Sequence, residues 1–258
     1  MYYQVNDVKL FVRQDGERNP AIIFLHFWGG SSRTWEPVTH LLKADYHCIR
    51  IDLRGWGASD KPQTGYDISS MAEDVLLLIQ ELQLDNYILA GHSMGGKIAQ
   101  AIAAQKPEAL KKLILVAPSP AVPTLLPDEM VKGMLQAYTS IDNIQFTIDH
   151  VFEAPDLSPD LRRVVVEDMQ QHNTASLTAW PGKAMNEDVS AGLSGIKIPT
   201  LVIAGGNDKV DPPARLAEDV VARIANARMV VIPGAGHLSM LQAPEKVAAL
   251  IKEFVREV

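Results

Sequence analysis

The pentapeptide Gly91-His92-Ser93-Met94-Gly95 sets a hydroxyl between two glycines, where the apolar run NYILAGH passes into the helical pattern GGKIAQAIAAQ. A serine on such a strand-to-helix turn has a strained backbone. Side chains at the flanking positions would strike the adjoining strand and helix, so the turn requires glycine there. The hydroxyl then stands at the head of a helix, whose free N–H groups and positive end stabilise negative charge developing beside it. Serine at its ordinary pKa is a poor nucleophile and needs a base in hydrogen-bond reach and an acid to orient that base. His237, in GAGHLSM after the apolar run ARMVVIP, is the expected base, and Asp208, in GGNDKVDPP after TLVIAGG, the expected acid. Asp211 is the alternative acid. It precedes Pro212 and Pro213, however, and is read instead as the N-cap of a helix that starts there.

Elements of two kinds must position these groups. Continuous apolar runs at 21–27, 46–53, 86–92, 112–118, 200–206 and 227–233 suit strands covered on both faces. An alternating stretch, VKLFVRQ, followed by the loop DGERNP, predicts an N-terminal hairpin. Between the runs lie amphipathic helices. In ISSMAEDVLLLIQELQL, Met71, Val75, Leu78, Ile79 and Leu82 share a face. In PEKVAALIKEFVREV, Val247, Leu250, Ile251, Phe254 and Val255 do the same, with Pro244 at the start and Glu245 in the first turn. This alternation predicts an α/β fold, a mostly parallel twisted sheet of about eight strands with helices on both faces and its site beyond the carboxyl ends of the strands. From 119 to 190 the strands stop and prolines break a helical pattern. The expectation is a core domain of 1–118 and 191–258, interrupted by a helical cap at 119–190 before the strand that carries the acid.

The composition narrows the chemistry. With 258 residues, 47% hydrophobic and 21% charged, the chain is an ordinary globular protein. A net charge of −7 removes the electrostatic basis for nucleic-acid binding. The single cysteine, Cys48, lies in an apolar run and is read as a buried thiol in a reducing, cytoplasmic setting. No apolar run reaches membrane-spanning length. None of the seven histidines forms a metal-binding helical pair, and the glycines of RGWGASD miss the dinucleotide fingerprint, whose third glycine would fall at Asp60. Neither metal nor cofactor is expected. His92 is read as a packed elbow residue, because neighbours on an extended strand face opposite ways. His150 and His172 are read as surface or cap-packing residues, and Arg54 as a stabiliser of its own loop.

The phrases DLRGWGASDKP, AGHSMGGKIAQ, PTLVIAGGNDKVDPP and IPGAGHLSMLQAPEKV resemble the α/β-hydrolase fold family of carboxylesterases, perhydrolase-type aryl esterases and carbon-carbon bond hydrolases, over residues 20–118 and 196–256. The chain order serine, aspartate, histidine is also that of the family. The resemblance implies an oxyanion hole made by the N–H of Met94 and an N–H from the loop His26-Phe27-Trp28-Gly29-Gly30. That second donor is Trp28, with Phe27 as fallback, since Phe27 stands where relatives usually carry glycine. The substrate pocket is expected to include Phe27, His92, Trp180 and Leu238. The expected function is hydrolysis of a carboxylic ester of a small, largely apolar substrate through an acyl-enzyme. Lactone hydrolysis, peracid formation, carbon-carbon cleavage and cofactor-free oxygenation remain alternatives within the family, and a small-molecule receptor retaining the triad is an alternative outside it. The expected partner is a small-molecule ester, with neither nucleic acid nor membrane, and assembly into a homo-oligomer is left open.

Overall fold

A computed structural model describes residues 1–257. Its sheet is built from β1 (Tyr2–Val5), β2 (Val8–Asp15), β3 (Ala21–Leu25), β4 (His47–Asp52), β5 (Tyr87–His92), β6 (Leu110–Val116), β7 (Thr200–Gly205) and β8 (Ala227–Ile232). The spatial order is β1-β2-β4-β3-β5-β6-β7-β8, with β1 and β2 antiparallel at one edge and the other strands parallel. All residues of β3, β5 and β7 are buried, as their unbroken apolar sequences require. β8 closes the far edge and is only partly covered.

The helices outside the β6–β7 connection are α1 (Glu36–Leu42), α2 (Ile68–Glu81), α3 (Met94–Ala104), α8 (Pro213–Asp219), α9 (Ser239–Gln242) and α10 (Pro244–Arg256). Most residues of the faces read from periodicity are buried, Leu82 and Val255 only partly. Met71, Val75, Leu78 and Ile79 of α2 and Val247, Leu250, Ile251 and Phe254 of α10 are all in the core. Between β6 and β7 the chain forms α4 (Asp128–Gln136), α5 (Ile141–Phe146), a π-helical turn at Thr147–Val151, α6 (Pro159–Met169) and α7 (Thr174–Gly182), without a strand. No helix among the described residues is long and apolar enough to cross a membrane.

The N-terminal hairpin differs from its expectation. VKLFVRQ pairs backwards, with Tyr2–Val5, and not across the DGERNP loop. That loop carries the chain from β2 to β3, which do not touch, because β4 lies between them. Alternation marks a half-covered strand but is silent about which neighbour it pairs with.

Three close approaches seat the loops at the carboxyl ends of the strands. A Cβ on Gly91 would lie 2.3 Å from the carbonyl oxygen of Gly95, and one on Gly95 would lie 2.6 Å from those of Leu25 and His26, so α3 can start directly against β5 and β3. A Cβ on Gly205 would lie 2.2 Å from the carbonyl oxygen of Gly236, where the loop after β8 crosses the end of β7. Backbone cannot swing aside as a flexible side chain can. Gly205→Ala is therefore expected to destabilise the fold by about 1–3 kcal/mol and to displace the loop that carries His237. Chemical denaturation measures the first effect, and a wild-type midpoint in the variant would refute the packing argument.

Candidate active site

Ser93 ends β5 and caps α3 with φ 51° and ψ −115°, a backbone that residues other than glycine rarely adopt. Hydrogen bonds on both sides hold it there. Its N–H donates to Val116 (3.3 Å), and its carbonyl accepts from Lys97 N–H (3.1 Å) and Ser119 N–H (3.0 Å). The side chain emerges at the first turn of α3, where the N–H of Met94 has no partner within the helix.

Asp208 and His237 approach from the loops after β7 and β8. His237 Nδ1 lies 2.8 Å from Asp208 Oδ2, and both residues are buried. The other carboxylate oxygen of Asp208 accepts the N–H groups of Val210 (2.8 Å) and Asp211 (3.1 Å). Burial works to raise the Asp208 pKa, but the charge and hydrogen bond of His237 and these two N–H groups outweigh it and hold the carboxyl below its ordinary value. For His237 burial favours the neutral ring, yet the charge and hydrogen bond of Asp208, with a further contribution from Asp211, raise its pKa above 6.5. Because Nδ1–H points at Asp208, the neutral ring keeps its lone pair on Nε2, the arrangement a base requires. His237 is also held by its backbone, with its N–H on Phe152 O (2.8 Å) and its carbonyl accepting from His92 Nε2 (2.9 Å). Ser93 and His237 line one cavity of about 550 Å³ but share no hydrogen bond in this structure.

The loop after β3 has a fixed orientation. His26 accepts Leu53 N–H on Nε2 (3.0 Å), so its Nδ1 carries the proton and donates to Phe27 O (2.7 Å). Phe27 O also accepts Gly30 N–H (2.9 Å), which pins the peptide that contains the Trp28 N–H. The preceding peptide aims His26 O at Gly95 N–H (3.2 Å), at the start of α3. In a trans peptide the N–H points away from its carbonyl, so Phe27 N–H faces away from that helix start. Phe27 fills the space beside the triad: its ring is buried between His92 and Phe152, with centroids at 5.2 and 5.8 Å.

Phe27 and Trp180 line the cavity as expected, but His92 and Leu238 do not. His92 is fully buried beneath the site, and Leu238 turns into the core. His150, read as a surface or packing residue, lines the cavity, whereas His172 packs against Trp56. Asp211 is not an N-cap: Pro212 takes that position and no side chain caps α8, because helix entry comes one residue later than the aspartate. The carboxyl of Asp211 lies at the cavity wall beside Arg215 (3.4 Å), and burial pushes its pKa up to about 7. Arg54 is paired with the buried Asp74 of α2 and with Asp7, and touches its own loop only through Thr64 O (3.5 Å).

Two residues of the site escaped the sequence. Tyr138 follows α4, stacks on Trp28 with centroids 4.3 Å apart, and donates its hydroxyl to Trp28 O (2.8 Å). Nothing local marks it. Lys97 is wholly buried and donates Nζ to Met185 O (2.8 Å) and Val122 O (3.3 Å), which ties α3 to both ends of the helical segment. Burial lowers its pKa to about 8. A lysine in the otherwise uncharged helix MGGKIAQAIAA was a readable signal.

A model of the alpha/beta hydrolase family matches residues 22–250. The chain is 34% identical to an AB hydrolase superfamily protein of Bacillus subtilis (strain 168), covering 96% of this chain and 95% of that protein. It is similar to the solved structure of an esterase from Exiguobacterium antarcticum, with 28% identity, a TM-score of 0.88 and 99% of each chain covered. It is also similar to an enol-lactonase from Burkholderia xenovorans LB400, with 25% identity, a TM-score of 0.87 and 100% of each chain covered.

The electrostatics of the pair can be read directly. The His237 imidazole, followed by NMR, is expected to titrate above 6.5 in the wild type and at lower pH in Asp208→Asn, which removes both the charge and the ionic hydrogen bond. Asp211→Asn is expected to lower it less. A larger shift in Asp211→Asn than in Asp208→Asn would reverse the assignment of the acid.

Proposed function

The chain belongs to the alpha/beta hydrolase family, and we propose that it is a serine hydrolase that cleaves a carboxylic ester of a small, mainly apolar substrate through an acyl-enzyme. The observation that carries this reading is the strained Ser93 backbone beside a buried, oriented His237–Asp208 pair on one cavity wall. Such strain persists only where surrounding structure enforces it, and it aims one hydroxyl at the cavity.

In this mechanism His237 Nε2 takes the Ser93 proton as Oγ attacks the ester carbonyl carbon. The oxyanion of the tetrahedral intermediate is held by the N–H groups of Met94 and Trp28 at the positive end of α3. The imidazolium, stabilised by ionised Asp208, protonates the departing alcohol. Water, deprotonated by the same nitrogen, then releases the acid and restores the serine. The missing Ser93–His237 hydrogen bond must form when substrate binds, as catalytic bonds often tighten in the complex. Met134, Val210, Phe152 and Trp180 make much of the wall apolar, which supports an apolar acyl or alcohol group. A lactone is an internal ester opened by the same attack, and full-length similarity to an enol-lactonase makes a cyclic ester the second reading.

The wild type is expected to hydrolyse p-nitrophenyl acetate and butyrate and to react with a fluorophosphonate probe. Ser93→Ala is expected to lose at least about a thousandfold in kcat and all labelling. No ester turnover together with no labelling of Ser93 would refute the hydrolase reading. The base must be neutral to accept a proton and the His237 pKa is raised, so kcat/KM should climb with pH along a limb centred above 6.5. A rate independent of pH from 5 to 8 would remove His237 from that role.

A further inference from the structure

One part of the cavity wall is strongly polar. Arg215, on α8, reaches the cavity with its side chain 27% exposed. Its Nη2 donates to Thr124 Oγ1 (2.8 Å) and its Nη1 to Asp211 Oδ1 at a long 3.4 Å. Asp219 Oδ2 lies 3.5 Å from Nε, an ion pair without a hydrogen bond. A guanidinium has five N–H donors, and only two of these are used within the protein. Asp211 is the only carboxylate residue among those lining the cavity. Burial pushes its pKa up to about 7, so near neutrality it is an incomplete counter-charge. The other cation on this wall, Lys209, is paired with Glu153. Arg215 thus faces the cavity with three N–H donors unused, although Asp211 and Asp219 share its charge.

We propose that the substrate carries a second, ionised carboxylate and that Arg215 binds it, so that the site prefers half-esters of short dicarboxylic acids to fully apolar esters. This rests on the serine-hydrolase reading and adds the substrate class. Thr124 holds the planar fork in place, so its free N–H groups can meet both oxygens of a carboxylate. Apolar Val210 and Met185 line the same cavity, which lowers the local polarity around a charge pair that would be weak in bulk water. The ester carbonyl reaches Ser93 while the apolar carbons between the two groups lie along the remaining wall.

The test compares p-nitrophenyl hemisuccinate, hemiglutarate and hemiadipate with their p-nitrophenyl methyl diesters, which match them in length but lack the charge. For at least one length the wild type is expected to prefer the half-ester in kcat/KM. Arg215→Met should reduce that ratio by roughly ten- to a hundredfold, the range for a charge-assisted hydrogen bond, and Arg215→Lys should restore part of it. A wild type that prefers the methyl diester at every length, or a ratio unmoved by Arg215→Met, overturns the proposal. Calorimetry of glutarate binding to Ser93→Ala reads the same contact without turnover. Binding that disappears when Arg215→Met is added supports the contact even if the hydrolase reading fails, and no binding overturns it.

Discussion

The site depends on one constraint, the close packing of α3 against β5 and β3 that forces Ser93 into a left-handed backbone. Backbone strain of this sort costs about 1–3 kcal/mol, and four kinds of contact offset it. The apolar residues of β5 and α3 are buried, the Ser93 peptide groups are hydrogen-bonded on both sides, and Gly91 and Gly95 remove the atoms that would collide. The fourth is the His26 carbonyl, which accepts Gly95 N–H and so ties the loop after β3 to the same turn. The strained serine and the peptide that carries Trp28 N–H are thus positioned by one cluster of contacts. A disturbance that relaxed the serine would also move that peptide.

The groups that flank this turn were legible in the sequence because their signals are local. Strand, glycine, serine, glycine and helix lie within twenty residues, and Asp208 and His237 each follow an apolar run by a few positions. The choice between Asp208 and Asp211 was readable only as a preference. The geometry separates them through the hydrogen bond to Nδ1 and through two N–H groups that converge on Asp208. What the sequence could not carry was contact over long separations. Tyr138 meets Trp28 across 110 residues and Lys97 meets Met185 across 88. The partner of VKLFVRQ and the inward turn of His150 likewise depend on where other elements pack. Leu238, expected in the pocket, is turned into the core at the start of α9.

The segment between β6 and β7 is fastened to the core by buried polar contacts as well as by apolar packing. Asp168 of α6 accepts from Ser31 Oγ (2.7 Å) and Arg33 Nε (2.8 Å), beside the loop that carries Trp28. Burial raises the Asp168 pKa to about 6, against the pull of those two donors. Lys97 holds Val122 and Met185, and Phe152 O holds the N–H of His237. Buried charges of this kind contribute little net stability over apolar replacements, because their desolvation offsets their attraction. Their geometry is demanding, however: each is satisfied only when the helical segment lies in one register over the core.

These fastenings are unevenly distributed, and that matters for the cavity. The ends of the segment and α6 carry the buried bonds, whereas α4 has no buried residue and exposes Met130, with Leu125 just before it. Local stability follows buried contact, so α4 is the least secured part of the wall. It contributes Met130, Gly133 and Met134 to the lining of the cavity that Ser93 and His237 also line. Arg215 belongs to the core side, since α8 follows directly from the loop of Asp208, and its bond to Thr124 reaches across to the start of the segment. Arg215 and the His237–Asp208 pair are thus seated on loops and a helix of the core, while α4 lines the same cavity from the segment between β6 and β7. Local opening of the cavity wall is therefore expected at α4 before it reaches the buried His237–Asp208 pair.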